Sequence, residues 1–266
     1  MSKIGFIGCG NMGGALAKAA TKTAHEIHLS DYSEEKLKAV TQELNAAAST
    51  NESIAKNCDM IFLGVKPQVL GEVLEPLKNI FKSRKTPFVL VSMAAGVTLQ
   101  SVCDLAGGNY PTIRIMPNTP ANVGSGMILY CKNDQAQDGD VKLLLDSMQF
   151  AGMCDIIDES LFDAATAVSG CGPAFVYMFI EALANGGVAA GLPYDKALKL
   201  AAQTVLGAGK MVRDSGIDPT TLRENVCSKG GSTIEGVKSL IASDLNATVK
   251  MAVRASFERT KELGKK

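Results

Sequence analysis

The sequence predicts an α/β fold: an N-terminal doubly wound sheet followed by an all-α C-terminal domain. Three observations lead there. Short, almost continuously apolar β-like runs alternate with helical patterns through the first 159 residues, as in a parallel sheet covered on both faces. Three glycines, Gly8, Gly10 and Gly13, stand between the first such run and the first helical pattern. After about Ser160 the β-branched runs give way to Ala, Leu, Met and Gly at helical spacing. The expected domains are therefore 1–159 and 160–266.

The elements follow in order. "KIGFIG" reads as a strand and Asn11 to Lys22 as a helix. "EIHLS" is a second strand, and Glu34 to Leu44 a second helix. "DMIFLGV" is a strand followed by a helical pattern after Pro67; "FVLVSM", "TIRIM" and "SGMILYC" are further strands. In the second half "LFDAATAVSG", "PYDKALKLAAQTVLGAGKMV" and "NATVKMAVRASFERTKEL" read as helices, with Pro193 and Pro219 at helix starts, where the fixed φ of proline is favourable.

Composition narrows the function classes. The 27 basic and 27 acidic residues cancel, and neither half has the basic excess that nucleic-acid binding requires. A chain without net charge gains little solubility from it, so self-association is expected. Seven cysteines, scattered, odd in number and without a C-x-x-C pair, argue against a zinc site or disulfide framework and for reduced thiols in a cytoplasmic protein. The start, "MSKIGFIGCG", turns into glycines too soon for a signal peptide. The stretch Cys171 to Pro193 is apolar and long enough to cross a bilayer. It contains Glu181, Asn185, Gly186, Gly187 and Gly191 and lacks basic flanks. The expectation is a core helix covered by partner helices or a second subunit, with no membrane.

The glycine spacing Gly8-x-Gly10-x-x-Gly13 follows a strand and opens a helix, the context in which it marks a Rossmann-type dinucleotide site. The first glycine permits the tight turn, the second lets the backbone approach a pyrophosphate, and the third lets helix and strand pack closely. The helix N-terminus then offers unpaired N–H groups to the anion. Asp31 ends the second strand, 18 positions after Gly13. An acid there binds ribose hydroxyls and repels a 2′-phosphate, which favours NADH over NADPH. Ser33 and Lys36 close behind could still receive a phosphate.

Six motifs occur in a fixed order: "IGCGNMG", "VKPQ", "SMAAGV", "RIMPNTPANVGSGM", "AVSGCGPAFVYMFIEALANGGVAAGLP" and "VCSKGGSTIEGV". Together, from Ile4 to about Leu240, the chain resembles the pyrroline-5-carboxylate reductases. The resemblance implies reduction of L-1-pyrroline-5-carboxylate to L-proline with NADH or NADPH. It also implies a subunit that dimerises through its helical domain, often into rings of dimers. Cofactor contacts carried over from the family fall on Ile7, Gly8, Cys9, Gly10, Asn11, Met12 and Gly13, on Asn51, on Val65, Lys66 and Pro67, and on Ala94, Ala95 and Gly96. All but Asn51 lie at or just past a predicted strand end, where open α/β sheets bind ligands. Asn51 also reads as a helix N-cap.

The stretch "SKGGSTIEG", Ser228 to Gly236, reads as a loop entering a helix, an arrangement whose backbone N–H groups bind carboxylates. An ordinary Ser/Thr cap after a flexible loop is the other reading of the residues alone. The resemblance places the substrate carboxylate on Ser228, Gly230, Gly231 and Ser232, sets Thr233 against the imine nitrogen, and brings Asn225 to the cofactor. This chain departs from the family pattern at Lys229, where proline is usual, and at Ile241, where a polar or acidic residue is usual. Ile241 is expected to extend a packed face; Lys229 adds a positive charge beside an anion site.

The residues also weigh against two alternatives. A β-hydroxyacid dehydrogenase carries a catalytic lysine on the long helix after a G-x-G turn. Here Gly170-Cys171-Gly172 is followed by "PAFVYMFIEAL", with no lysine or histidine. A nucleotide sensor would need no substrate loop. His25 and His28 flank the second strand and are expected to be structural. Glu181 is expected in an internal salt bridge or a dimer contact.

Overall fold

The computed structural model describes residues 1–263 and comprises two compact units. The first is Met1–Cys171 together with the C-terminal segment from Ser256; the second is Gly172–Ala255.

The first unit is built on one eight-stranded sheet. Its strands are β1 (Lys3–Ile7), β2 (Glu26–Ser30), β3 (Ala47–Ala48), β4 (Met60–Leu63), β5 (Val89–Ser92), β6 (Thr112–Met116), β7 (Gly126–Lys132) and β8 (Gly152–Ile156). They lie in the order β3-β2-β1-β4-β5-β6-β7-β8. Its helices are α1 (Asn11–Ala20), α2 (Glu34–Leu44), α3 (Asn51–Asn57), α4 (Leu70–Leu74), α5 (Lys78–Ser83), α6 (Leu99–Ala106), α7 (Asp138–Met148) and α8 (Phe162–Ala165).

The apolar runs become strands because both sheet faces are covered. Along β1 and β4, Ile4, Phe6, Met60 and Phe62 enter one core, while Ile7, Ile61 and Leu63 enter the other, the alternation a strand imposes. Phe6 and Phe62 stack with ring centroids 4.5 Å apart.

The sheet is mostly parallel, as expected, with one exception: β7 runs antiparallel to β6. Only residues 117–125 join these strands, and they form a 3₁₀ turn at Thr119–Val123. That is too short for the helical crossover a parallel return requires. Two strands give no sequence signal: β3 is two exposed alanines, and β8 is a largely exposed edge strand. Residues 160–171, helical in composition, belong to the first unit. Phe162 is buried there with Leu99, Leu129 and Cys131.

The second unit contains α9 (Gly172–Ala189), α10 (Tyr194–Ser215), α11 (Pro219–Asn225) and α12 (Ser232–Ala242), and α13 (Leu245–Leu263) begins in it. Pro193 is the N-cap of α10 and Pro219 the first residue of α11. Helices α9 and α10 pack through Ala184, Ala197 and Ala201, small side chains that let the two axes approach. Most of the rest of α9 is exposed, apart from Ile180, which packs against this cluster. Ala184 is its only buried residue, and Val176, Tyr177, Met178, Phe179 and Leu183 are exposed. Glu181 makes no ion pair among the described residues. Ile241 likewise extends no packed face within the subunit, being 66% exposed.

Candidate active site

The first glycine turn is shaped by crowding. Gly8 has φ +96°, and a methyl group there would sit 2.8 Å from the Gly64 carbonyl oxygen. A methyl on Gly13 would sit 2.1 Å from the Gly8 carbonyl oxygen, well inside contact distance. Gly10 differs: a Cβ there meets nothing within 4 Å. It is the N-cap of α1 and provides no side-chain hydrogen bond. The helix therefore opens with unpaired N–H groups beside bare backbone, which is what a dinucleotide pyrophosphate requires. Ile7 and Cys9 are buried beneath the turn.

Asp31 does more than its position at the end of β2 announces. Its Oδ2 accepts a hydrogen bond from the Cys9 backbone N–H at 2.8 Å, and its Oδ1 accepts from Ser33 N–H at 3.1 Å. The carboxylate thus ties the glycine turn to the β2–α2 turn. The Ser33 hydroxyl caps α2, accepting from Lys36 N–H at 3.3 Å.

Asn51 is not a helix cap. Thr50 caps α3, accepting from Ser53 N–H at 3.2 Å. Asn51 begins the helix, and its Oδ1 accepts from the Ser30 hydroxyl at 2.7 Å, next to the end of β2. Val65, Lys66 and Pro67 follow β4, with Lys66 exposed as the N-cap of a 3₁₀ turn. Ala94, Ala95 and Gly96 follow β5, with Gly96 at φ +76°. Strands β2, β1, β4 and β5 are consecutive in the sheet. The topology therefore collects all these positions, with Asn11 and Met12, along one sheet edge.

The second glycine turn lies in the second unit, between Asn225, which ends α11, and α12. Gly231 N–H donates to the Ser228 carbonyl at 3.0 Å. Gly230 has φ +75°, and Lys229 is not among the positive-φ residues, so Ser228–Gly231 is a type II turn with Lys229 at its second position. That position favours proline, which gives the departure at Lys229 its physical meaning. The N-cap of α12 is Gly231, without a side-chain hydrogen bond. Ser232 and Thr233 are exposed and do not cap the helix, so the ordinary-cap reading fails. Among the described residues both hydroxyls lack a hydrogen-bond partner, beside the first N–H groups of a helix.

The histidines take no part. His28 Nδ1 lies 3.0 Å from the Ser49 hydroxyl and its Nε2 2.8 Å from Glu26, while His25 Nδ1 is buried without a hydrogen-bond partner among the described residues. Burial pushes the Cys9 and Cys154 thiols up to about 11 and those of Cys58 and Cys131 up to about 12, so all four remain protonated thiols.

Three residues escaped the sequence reading. Arg114, Asn118 and Glu159 lie in or beside "RIMPNTP" and at the start of the 159–171 segment. The Asn118 side chain accepts from Met127 N–H and donates to the Ser169 carbonyl, both at 2.9 Å. The available signal was a lone charge within the apolar strand "TIRIM", which in a buried strand must find a partner.

A doubly wound sheet with this glycine turn, joined in one chain to a helical module with a second uncapped anion-type turn, defines a nicotinamide-dinucleotide oxidoreductase. The comparisons with known proteins are specific. A family model described as pyrroline-5-carboxylate reductase dimerisation matches residues 159–263, and one described as NADP oxidoreductase, coenzyme F420-dependent, matches residues 3–96. The pyrroline-5-carboxylate reductase of Methanosarcina acetivorans is 41% identical, with 99% of this chain and 98% of that protein covered. That of Escherichia coli is 38% identical with the same coverage. Among solved structures, the Plasmodium falciparum pyrroline carboxylate reductase with NADP bound is 34% identical at a TM-score of 0.87, covering 99% of this chain and 98% of that one. The Coxiella burnetii pyrroline-5-carboxylate reductase is 30% identical at a TM-score of 0.91, covering 100% and 99%. The chain belongs to the pyrroline-5-carboxylate reductase family. It is an NAD(P)H-dependent oxidoreductase and a homo-oligomer, and the apolar exposed face of α9 lies within the matched dimerisation segment.

Proposed function

We propose that the chain reduces the C=N bond of L-1-pyrroline-5-carboxylate to give L-proline, with Gly8–Gly13 as the cofactor turn and Ser228–Thr233 as the substrate turn. The observation that supports this most is the pairing of two uncapped helix N-termini, at α1 and α12, each entered through a glycine turn. One suits a pyrophosphate, the other a carboxylate.

The residues present fit a nicotinamide dinucleotide, because Gly10 leaves the approach to α1 open while Gly8 and Gly13 hold the turn closed against the sheet. Bound NAD(P)H supplies the hydride for the C=N bond. Asn11, Met12, Asn51, Val65, Lys66, Pro67, Ala94, Ala95 and Gly96 line its binding edge; the family resemblance adds Asn225 as a cofactor residue. The N–H groups of Ser232 and Thr233, which open α12, hold the substrate carboxylate, joined by the Ser228 and Ser232 hydroxyls. Thr233 Oγ1 accepts a hydrogen bond from the N–H of the protonated imine and so orients the reacting bond. An imine is basic enough to enter protonated and already electrophilic, so no strong acid is needed. Positioning alone can lower such a barrier by about 7–11 kcal/mol. This agrees with the lack of lysine and histidine on α9.

Asp31 sets the preference for NADH, because its carboxylate meets ribose hydroxyls well and a 2′-phosphate badly. The enzyme assembles as a dimer or a ring of dimers through its helical domain, in the cytoplasm, without nucleic acid or membrane partners.

The test is loss of NADH absorbance on adding pyrroline-5-carboxylate, repeated with NADPH. Turnover with a higher kcat/KM for NADH is expected. NADH binding without turnover would make the chain a nucleotide sensor. Oxidation of 3-hydroxyisobutyrate with NAD would make it a dehydrogenase of the β-hydroxyacid type. A clear NADPH preference would remove the role given to Asp31, and light scattering reads the subunit number.

A further inference from the structure

The cluster around Glu159 and the buried Arg114 lies outside the residues assigned above, yet it is fastened to one of their loops, Ala94–Gly96, and to the turn that follows β6. Glu159 Oε1 accepts from the Leu99 backbone N–H at 2.7 Å and from Arg114 Nη1 at 3.2 Å. Leu99 opens α6, three positions after Gly96, with only Val97 and Thr98 between them. Arg114 stands on β6, directly before the turn that contains Asn118. It is only 5% exposed; its Nη2 lies 3.8 Å from Asp163, and its guanidinium 4.5 Å from the centre of the Phe162 ring.

One carboxylate oxygen therefore holds both the N-terminus of α6 and a buried guanidinium. Helix α6 has its own cap, with the Thr98 hydroxyl accepting from Ser101 N–H. Glu159 supplies what the cap cannot, an acceptor for the first N–H and a negative charge at the positive end of the helix. Arg114 is buried while Glu159 is about one third exposed, and the desolvation of the guanidinium offsets much of their attraction, so the pair is a poor route to stability. The pair does determine a geometry. A turn three residues from an anchored N–H has little room to shift, and a displacement near 1 Å at a reacting site can cost about a hundredfold in rate.

We propose that Glu159 is a positioning residue for the reduction, fixing the Ala94–Gly96 turn through Leu99 N–H and the β6 turn through Arg114. This rests on the reading that the Ala94–Gly96 turn contacts the cofactor. The experiment compares E159A, which removes the acceptor, with E159Q, whose amide oxygen can still accept both hydrogen bonds, in the intact oligomer. E159A is expected to lower kcat/KM for NADH by about tenfold to a hundredfold, with the KM for the imine within about twofold of the parent. E159Q recovers most of that loss. A folded E159A with a lower Tm but unchanged NADH constants would reduce Glu159 to a structural pair and overturn the proposal. So would an E159Q as impaired as E159A. If E159A does not fold, E159D, with its carboxylate one methylene short of Leu99 N–H, should still raise the KM for NADH, and unchanged NADH constants there overturn the proposal as well. A parent enzyme that fails to oxidise NADH with the imine overturns the functional reading together with this one; normal parent turnover beside an unperturbed E159A overturns this one alone.

Discussion

The two glycine turns look alike in sequence and are held by different forces. Gly8–Gly13 is fixed by tertiary packing. Gly8 and Gly13 press on each other and on Gly64, and the Asp31 carboxylate holds Cys9 N–H from a neighbouring strand. Ser228–Gly231 is fixed locally, by one hydrogen bond across a type II turn and the positive φ of Gly230. A methyl on Gly230 would meet nothing within 4 Å, so only its backbone conformation demands glycine. The cofactor turn is thus a rigid part of the sheet, and the substrate turn a local piece of chain able to adjust to what it binds.

The largest effect should come from breaking the rigid turn. Gly13→Ala places a methyl 2.1 Å from the Gly8 oxygen, an overpacking that costs about 1–3 kcal/mol or more. We expect a lower Tm and a loss of about a hundredfold or more in kcat/KM for NADH. Gly10→Ala sharpens the contrast, because its methyl has room in the protein but not beside a bound pyrophosphate. Tm should hold while the KM for NADH rises about tenfold. Equal losses of Tm in the two variants would show that crowding does not distinguish the glycines.

The substrate turn should answer in the other kinetic constants. Thr233→Ala is expected to reduce kcat about tenfold, the equivalent of one hydrogen bond near 1.4 kcal/mol, without moving the KM for NADH. Gly230→Ala forces a side chain to φ +75° at a cost of about 1–2 kcal/mol, seen as a higher KM for the imine with cofactor binding intact. A matching change in NADH affinity would mean that the two turns are not independent.

The smallest effect concerns Lys229. Its N–H donates to no acceptor among the described residues, and its turn position suits proline. Lys229→Pro should therefore stabilise the fold by about 0.4–1 kcal/mol, by restricting the unfolded chain. The same change removes a positive charge near the carboxylate site, so the KM for the imine should rise at low salt and converge with the parent at high salt. An unchanged KM at both salt concentrations would leave the lysine without an electrostatic role.

Most strands and most helices were legible because one signal, apolar periodicity, was strong; α6 and α7 were not read. β1 and β4 are buried on both faces and read as continuous apolar runs. β3 and β8 are edge strands whose pairing depends on what lies beside them, and residues such as Ala47 and Asp155 announce nothing of it. Asn51 shows the same limit at a single residue. Its type allowed a cap, but the neighbouring Thr50 took that place, leaving Asn51 to meet Ser30 across the sheet.

The sequence by itself determined the glycine turns, the strand–helix alternation of the first half, the change from α/β to all-α composition and the family, because each is written in residue types at fixed spacing. The tertiary structure alone decided the antiparallel return of β7, the two bonds that turn Asp31 into a brace, the bare N-terminus of α12 and the junction at Glu159. These depend on which groups, distant in the chain, come within about 3 Å of one another. Spacing along a chain does not specify such distances until the sheet has closed around them.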